Sequence, residues 1–319
     1  MVSRLKDWAA RRGYALAWGD VSVVGEALAE IRRLRQAAEL DPGFARSRLG
    51  LFDEAPADRL PREARSVLLL AVPRPAHRLT FTVDGAPVVA VVPPTYVAFG
   101  RLPGVVRTEL AADGLEAELG LEPLVAPLKT VAARLGLVRY GRNNVTYAPG
   151  MGSYFQLVGF LTRAALERPE GWRPQPPRPL PTCVDCDLCR AACPTGAIDE
   201  DRFLLRAERC RALHTETPGP WPERFPVESH DCLIGCLACQ EVCPVNAGRL
   251  TWETLPVHFT EDETRTLLRE TGDPPGALPD GIRARLDAIG MLDDAPVLGR
   301  NLGVLLRGPV ARAPRGVAS

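Results

Sequence analysis

The run Cys183-Val184-Asp185-Cys186-Asp187-Leu188-Cys189-Arg190-Ala191-Ala192-Cys193-Pro194 decides how the rest of the chain is read. Its spacing, Cys-x2-Cys-x2-Cys-x3-Cys-Pro, is that of a 4Fe–4S cluster loop. Three closely spaced thiolates can take three corners of one cubane, and the fourth, followed by proline, leaves the loop to serve a second. A second run stands at Cys236-x2-Cys239-x3-Cys243-Pro244, with Cys232 four residues ahead of Cys236. Two Cys-Pro endings imply two clusters that exchange their fourth ligands. Cys183, Cys186, Cys189 and Cys243 then hold the first, and Cys193, Cys236 and Cys239 the second. Eight thiolates are required and nine cysteines are present. Spacing leaves the last place open between Cys210 and Cys232.

Structural zinc is the competing reading, but zinc sites of four cysteines usually come as separate Cys-x2-Cys pairs. A triple Cys-x2-Cys-x2-Cys closed by Cys-Pro is a poor zinc pattern. Disulfides fit worse, because all nine cysteines fall between Cys183 and Cys243 at metal spacing. The chain carries 39 basic and 39 acidic residues, and this balance shows none of the basic excess of a dedicated nucleic-acid binder. Apolar runs such as Ser66–Val72 are far too short to span a bilayer, and Met1–Arg12 reads as no secretory leader. The expectation is a cytoplasmic protein with no membrane segment. His77, His214, His230 and His258 are scattered and form no ligand set.

Outward from the cysteines, Trp172–Pro181 (WRPQPPRPLP) is half proline and reads as an extended linker. The division expected is residues 1–171 as a sheet domain, 172–181 as linker, 182–250 as a bacterial-type double-cluster ferredoxin module, and 251–319 as a helical tail. In the first domain, Leu5–Arg12 and Val24–Leu40 have helical periodicity, with Asp41-Pro42-Gly43 read as a stop. Ser66–Val72 and Phe155–Leu161 read as buried strands. Thr80–Val83 and Val88–Val92 flank Asp84-Gly85, a hairpin signal. Leu110–Leu119 and Leu124–Leu135 look helical. In the tail, helices are expected at Glu261–Glu270, Gly281–Ile289 and Leu298–Leu306. The fold class is α+β. Fully ligated clusters carry single electrons, so chemistry on a substrate belongs to the first domain.

Several stretches resemble the epoxyqueuosine reductase family. They are Leu5–Trp18 (LKDWAARRGYALAW), Leu60-Pro61 with Ser66–Leu70, and Leu135–Asn144 with Gly152–Phe155 (LGLVRYGRNN…GSYF). Arg209-Cys210, Gly235–Cys243 followed by Val245-Asn246, and Leu298–Leu306 (LGRNLGVLL) complete the likeness. Reductive dehalogenases share the same two-part plan. The resemblance implies a nitroreductase-like α/β domain that binds cobalamin, two 4Fe–4S clusters that relay electrons to it, and reduction of a substrate beside the corrin. It implies a low-potential donor such as ferredoxin or flavodoxin as partner. It favours Cys210 over Cys232 as the eighth ligand, and makes Tyr140, Arg142, Asn143 and Gly152 the residues expected to line the corrinoid.

One departure matters. Where the family has an aspartate expected to act as general acid, this chain has Leu102, within Phe99–Pro103. Tyr96 is then the nearest candidate proton donor, since dehalogenase-like members use a tyrosine. The chain also ends without the helical-repeat extension of many family members. Together with zero net charge, this disfavours tRNA and points to a small-molecule substrate. The alternative reading is a non-catalytic electron carrier or corrinoid-handling protein.

Overall fold

A computed structural model describes residues 1–52, 60–168, 170–269 and 278–308. The chain opens with α1 (Val2–Arg11), β1 (Ala15–Asp20), α2 (Ser22–Gln36), α3 (Pro42–Leu49) and β2 (Ser66–Pro73). A hairpin of β3 (Ala76–Val83) and β4 (Ala86–Val92) follows, then α4 (Leu102–Ala112), α5 (Glu116–Leu119), β5 (Leu121–Pro123) and α6 (Leu128–Arg134). Next come β6 (Arg139–Tyr140), β7 (Thr146–Tyr147), β8 (Phe155–Thr162), α7 (Leu188–Ala191), α8 (Arg211–Thr215) and α9 (Ala238–Glu241). The last elements are β9 (Trp252–Phe259), α10 (Glu261–Arg269), α11 (Asp280–Ala288) and α12 (Ala295–Arg307). Two compact units form, each discontinuous in sequence: Met1–Pro73, Arg101–Arg190 and Ile198–Glu208 in one, and Arg74–Gly100, Ala191–Ala197 and Arg209 onward in the other. The fold is mixed helix and sheet.

The first unit is built on an antiparallel sheet of order β1-β2-β8-β5. Strand β2 (SVLLLAVP) lies between β1 and β8 and is buried on both faces because helices pack on each side of the sheet. Its side chains alternate between two cores, as the two-residue period of a strand requires. Val67, Leu69 and Ala71 join Val23, Val24, Ala27 and Leu28 of α2 and Val131 of α6. Leu68, Leu70 and Val72 join Leu5 and Trp8 of α1 and Leu102, Val106 and Leu110 of α4. Each fully buried leucine contributes about 1.5–3 kcal/mol, so this one strand anchors both helix layers.

In the second unit, β3 pairs antiparallel with β4 and parallel with β9. Leu255, Val257 and Phe259 of β9 alternate inward, Phe81 stacks on Phe259 at 5.2 Å, and α10, α11 and α12 close the same core. The helical tail expected from sequence contains no strand, yet Trp252–Phe259 is one. It pairs with Ala76–Phe81, far away in sequence, which no local pattern announces.

Other boundaries also differ from expectation. Asp41-Pro42-Gly43 starts a helix instead of merely ending one: the Asp41 carboxylate accepts the Phe44 N–H at 2.7 Å, with Pro42 at the first helical position. The helix before it ends at Gln36. Leu110–Leu119 falls across α4 and α5, broken at Gly114, and Leu124–Leu135 is helical only from Leu128. Glu270, the expected end of α10, lies outside the described residues. The proline-rich stretch is extended, as its composition predicts, but it is docked. Gln175 N–H donates to Arg134 O, Leu180 N–H donates to Tyr140 O, and Tyr140 N–H donates to Arg178 O. Among the described residues, no helix is long and apolar enough to cross a membrane.

Candidate metal centre

The first cysteine loop is held by Arg142. Its Nε donates to Cys186 O at 2.9 Å, and its Nη2 donates to Cys183 O at 2.7 Å and more weakly to Val184 O at 3.4 Å. A planar guanidinium presents its N–H donors in a fixed fork, which suits the carbonyls of one tight loop better than the rotatable donors of an ammonium. Arg190 pins the far side through Asp187 and Glu200. Cys189 is buried, while Val184 and Leu188 beside it are exposed at 73% and 50%.

The residues expected to line a corrinoid are engaged locally. Tyr140 is buried in the first unit's core, edge-on to Phe203 at 5.3 Å, and its phenol is held neutral by burial. Asn143 is buried, donates to Tyr147 Oη at 3.0 Å and accepts the Val145 N–H at 3.2 Å, closing the turn between β6 and β7. Gly152 has φ +61° and its C=O accepts the Ala148 N–H. With Arg142 committed to the cysteine loop, these four do not present a polar set for a corrin.

In the second unit, Cys193 Sγ accepts the Ala197 N–H at 3.3 Å. Cys210 receives backbone N–H groups from Ala212 and Leu213, and burial pushes its thiol up to about 11. Cys232 is different. It is fully buried, and its thiol is pushed far up by burial and by Asp231, with which it shares a hydrogen bond. Cys236 Sγ accepts a hydrogen bond from Arg211 Nη2 at 2.9 Å. Two Arg211 nitrogens, Nε and Nη1, are buried without a partner among the described residues. Orphaned donors beside a thiolate are what a sulfide-rich cluster would satisfy, so this donor set fits the group. No three His, Cys, Asp or Glu side chains among the described residues gather closely enough for a single ion. A tetrahedral zinc would need thiolates about 4 Å apart.

Sequence reasoning missed the shell around this loop. Thr215 Oγ1 accepts the Gly235 N–H at 2.8 Å. Asn301 Nδ2 donates to Thr215 O, and Arg300 donates to His214 O and Thr217 O, so α12 clamps the end of α8. The signal was present as polar Arg300-Asn301 inside an apolar helix. Gly235 has φ +73°, and a Cβ there would stand 2.5 Å from Tyr96 Oη. Tyr96 therefore packs directly against the backbone preceding Cys236. Its hydroxyl donates to Glu216 Oε1 at 2.5 Å, and burial, then Glu216, holds the phenol far above its usual pKa. Leu102 is 6% exposed in the first unit's core, so no acid stands there. Each histidine has a partner within the second unit: His77 faces Glu253, His258 Thr82, His214 Arg224, and His230 Asn301 O.

Residues 182–246 match the 4Fe-4S double cluster binding domain. Among curated proteins, the epoxyqueuosine reductase of Synechococcus sp. (strain RCC307) is 40% identical over 123 residues, 38% of this chain and 35% of that one. The epoxyqueuosine reductase of Bacillus subtilis (strain 168) is 34% identical over 122 residues, 38% and 29%. The matched region thus spans about a third of these relatives. Among solved structures, a selenomethionine-labelled epoxyqueuosine reductase superposes with TM-score 0.66 at 21% identity, covering 96% of this chain and 80% of that one. The enzyme from Bacillus subtilis, with its catalytic loop swung out of the active site, gives 0.64 at 20%, covering 96% and 82%. An epoxyqueuosine reductase with an epoxyqueuosine-modified tRNA-Tyr stem loop gives 0.61 at 20%, also covering 96% and 82%. Over nearly its whole length the chain therefore has the fold of the epoxyqueuosine reductase-like family, and its cysteine loops are those of a double 4Fe–4S cluster domain.

Proposed function

We propose that the protein is an iron–sulfur oxidoreductase of epoxyqueuosine reductase type. The observation that carries this reading is the double cysteine run, matched to a double-cluster domain and set within that fold over 96% of the chain. Cys183, Cys186, Cys189 and Cys243 would hold one cluster, and Cys193, Cys210, Cys236 and Cys239 the other. The backbone N–H groups on Cys210, against the thiol of Cys232 engaged by Asp231, support Cys210 as the eighth ligand. The clusters supply one-electron transfer at low potential. The chain's own part is to hold the loops: Arg142 on the first, Arg211 and Thr215 on the second. A low-potential electron donor such as ferredoxin or flavodoxin would reduce them.

Cobalamin enters this reading from the likeness alone and would supply a nucleophilic, strongly reducing centre. Epoxyqueuosine-containing tRNA is the substrate class that the likeness supports, against the expectation from net charge. A second reading, a smaller substrate, rests on Leu102 in place of an acid, because a positioned acid is worth about 10²–10⁴-fold. In that reading Tyr96 would give the proton and regain one from solvent, while the Glu216 carboxylate, which accepts the hydrogen bond of the phenol, would orient it.

The test is anaerobic reconstitution with iron and sulfide, cobalamin titration under a low-potential reductant, and nucleoside mass spectrometry of epoxyqueuosine-containing tRNA. Turnover of the tRNA establishes the first reading. Two clusters and a bound corrin with no tRNA turnover establish the second, and a zinc-only protein ends both. Two clusters without corrin binding leave the electron carrier.

A further inference from the structure

Beside Cys236 lies a buried ion pair, Arg211 with Asp231, whose charge can act on a cluster beyond holding the loop. Arg211 is 2% exposed and Asp231 6%. One nitrogen of Arg211, Nη2, donates both to Asp231 Oδ1 at 2.5 Å and to Cys236 Sγ at 2.9 Å. Nε and Nη1 are buried with no acceptor among the described residues. Arginine cannot shed its charge to escape burial, so such a site persists only where anionic acceptors surround it. Asp231 supplies one. Two unsatisfied N–H-bearing nitrogens call for more, and the sulfur atoms of a cluster on Cys236 are acceptors of the right charge.

We infer that Arg211 is a positioning residue that sets the reduction potential of the second cluster. The inference rests on the cluster reading of Cys236. Its physical basis is that hydrogen bonds to cluster sulfur and nearby positive charge both stabilise the reduced, more negative state. At the first loop, Arg142 donates instead to carbonyl oxygens of Cys183, Val184 and Cys186 and supports the loop's shape. On this inference the second cluster is the higher-potential member of the pair, and electrons entering the protein collect there. Asp231 moderates the effect by taking part of the guanidinium's field.

The experiment is a redox titration of the reconstituted full chain, followed by electron paramagnetic resonance, on the wild type, Arg211→Met, Arg211→Lys and Asp231→Asn. Two waves are expected in the wild type. In Arg211→Met the higher wave falls by at least about tenfold in its equilibrium constant, which is 59 mV for one electron, while the other stays in place. Arg211→Lys restores part of the shift. Asp231→Asn keeps the arginine and moves the same wave upward, which keeps the inference falsifiable if Arg211→Met does not retain its cluster. Unchanged potentials in variants that hold both clusters overturn the inference and leave the cluster reading intact. A wild type that takes up no cubanes overturns both.

Discussion

Replacing Arg142 with methionine separates two roles for that side chain. The family likeness placed it against a corrin, whereas its guanidinium grips the first cysteine loop at 2.9, 2.7 and 3.4 Å. Hydrogen bonds from a charged donor contribute about 1.5–3 kcal/mol when buried. Arg142 is only half-buried, so about 1 kcal/mol for each of the two shorter bonds is the fitting figure, and the 3.4 Å contact adds little. The loop should lose about 2 kcal/mol of preorganisation, roughly a 30-fold drop in retention of the first cluster. Iron and sulfide should fall from about eight per chain toward about four under a mild chelator challenge, with one cluster signal lost preferentially. Arg142→Lys should fall between, since an ammonium keeps the charge without the fork. Full retention of both clusters in Arg142→Met, combined with weakened cobalamin binding, would refute the loop-holding role and restore the corrin-lining one.

Cys210→Ala should lose the second cluster, whereas Cys232→Ala should keep iron near the wild-type content; the reverse assigns the eighth place to Cys232. Leu102→Asp, the substitution that would reinstate the family's acid, should instead destabilise the chain. It removes a buried leucine, about 2–5 kcal/mol, and buries a carboxylate beside Leu5, Trp8 and Val106, while the first turn of α4 returns only about 0.3–1 kcal/mol. A thermal scan showing unchanged stability would contradict this packing. Asp294→Asn should raise the melting temperature more at pH 8 than at pH 5. Burial, then Glu216, raises the folded carboxyl from 3.8 to about 6. Between those values the folded chain binds the extra proton, so stability falls as pH rises through the window. An equal gain at both values would remove Asp294 as the source.

The cysteine runs, the buried strands Ser66–Pro73 and Phe155–Thr162, the Asp84-Gly85 hairpin and the tail helices were legible because each is written within one short window. Cluster spacing is a property of a single loop, and strand and helix periods are local. What only the tertiary structure decided depends on residues far apart. Strand Trp252–Phe259 exists because it pairs with Ala76–Phe81. Asp41-Pro42-Gly43 reads as a stop in sequence, yet in the fold the Asp41 carboxylate caps the next helix by accepting the Phe44 N–H. Arg142 was legible as a basic residue near a glycine turn, but its carbonyl acceptors lie more than forty positions away. Arg211 is next to Cys210 in sequence, yet its role comes from Asp231 and Cys236, brought to it by folding. Sequence named the candidate ligands because metal chemistry fixes the residue type at each corner. The support around them stayed hidden because any donor at the right place in space can fill it, and place in space is what folding supplies.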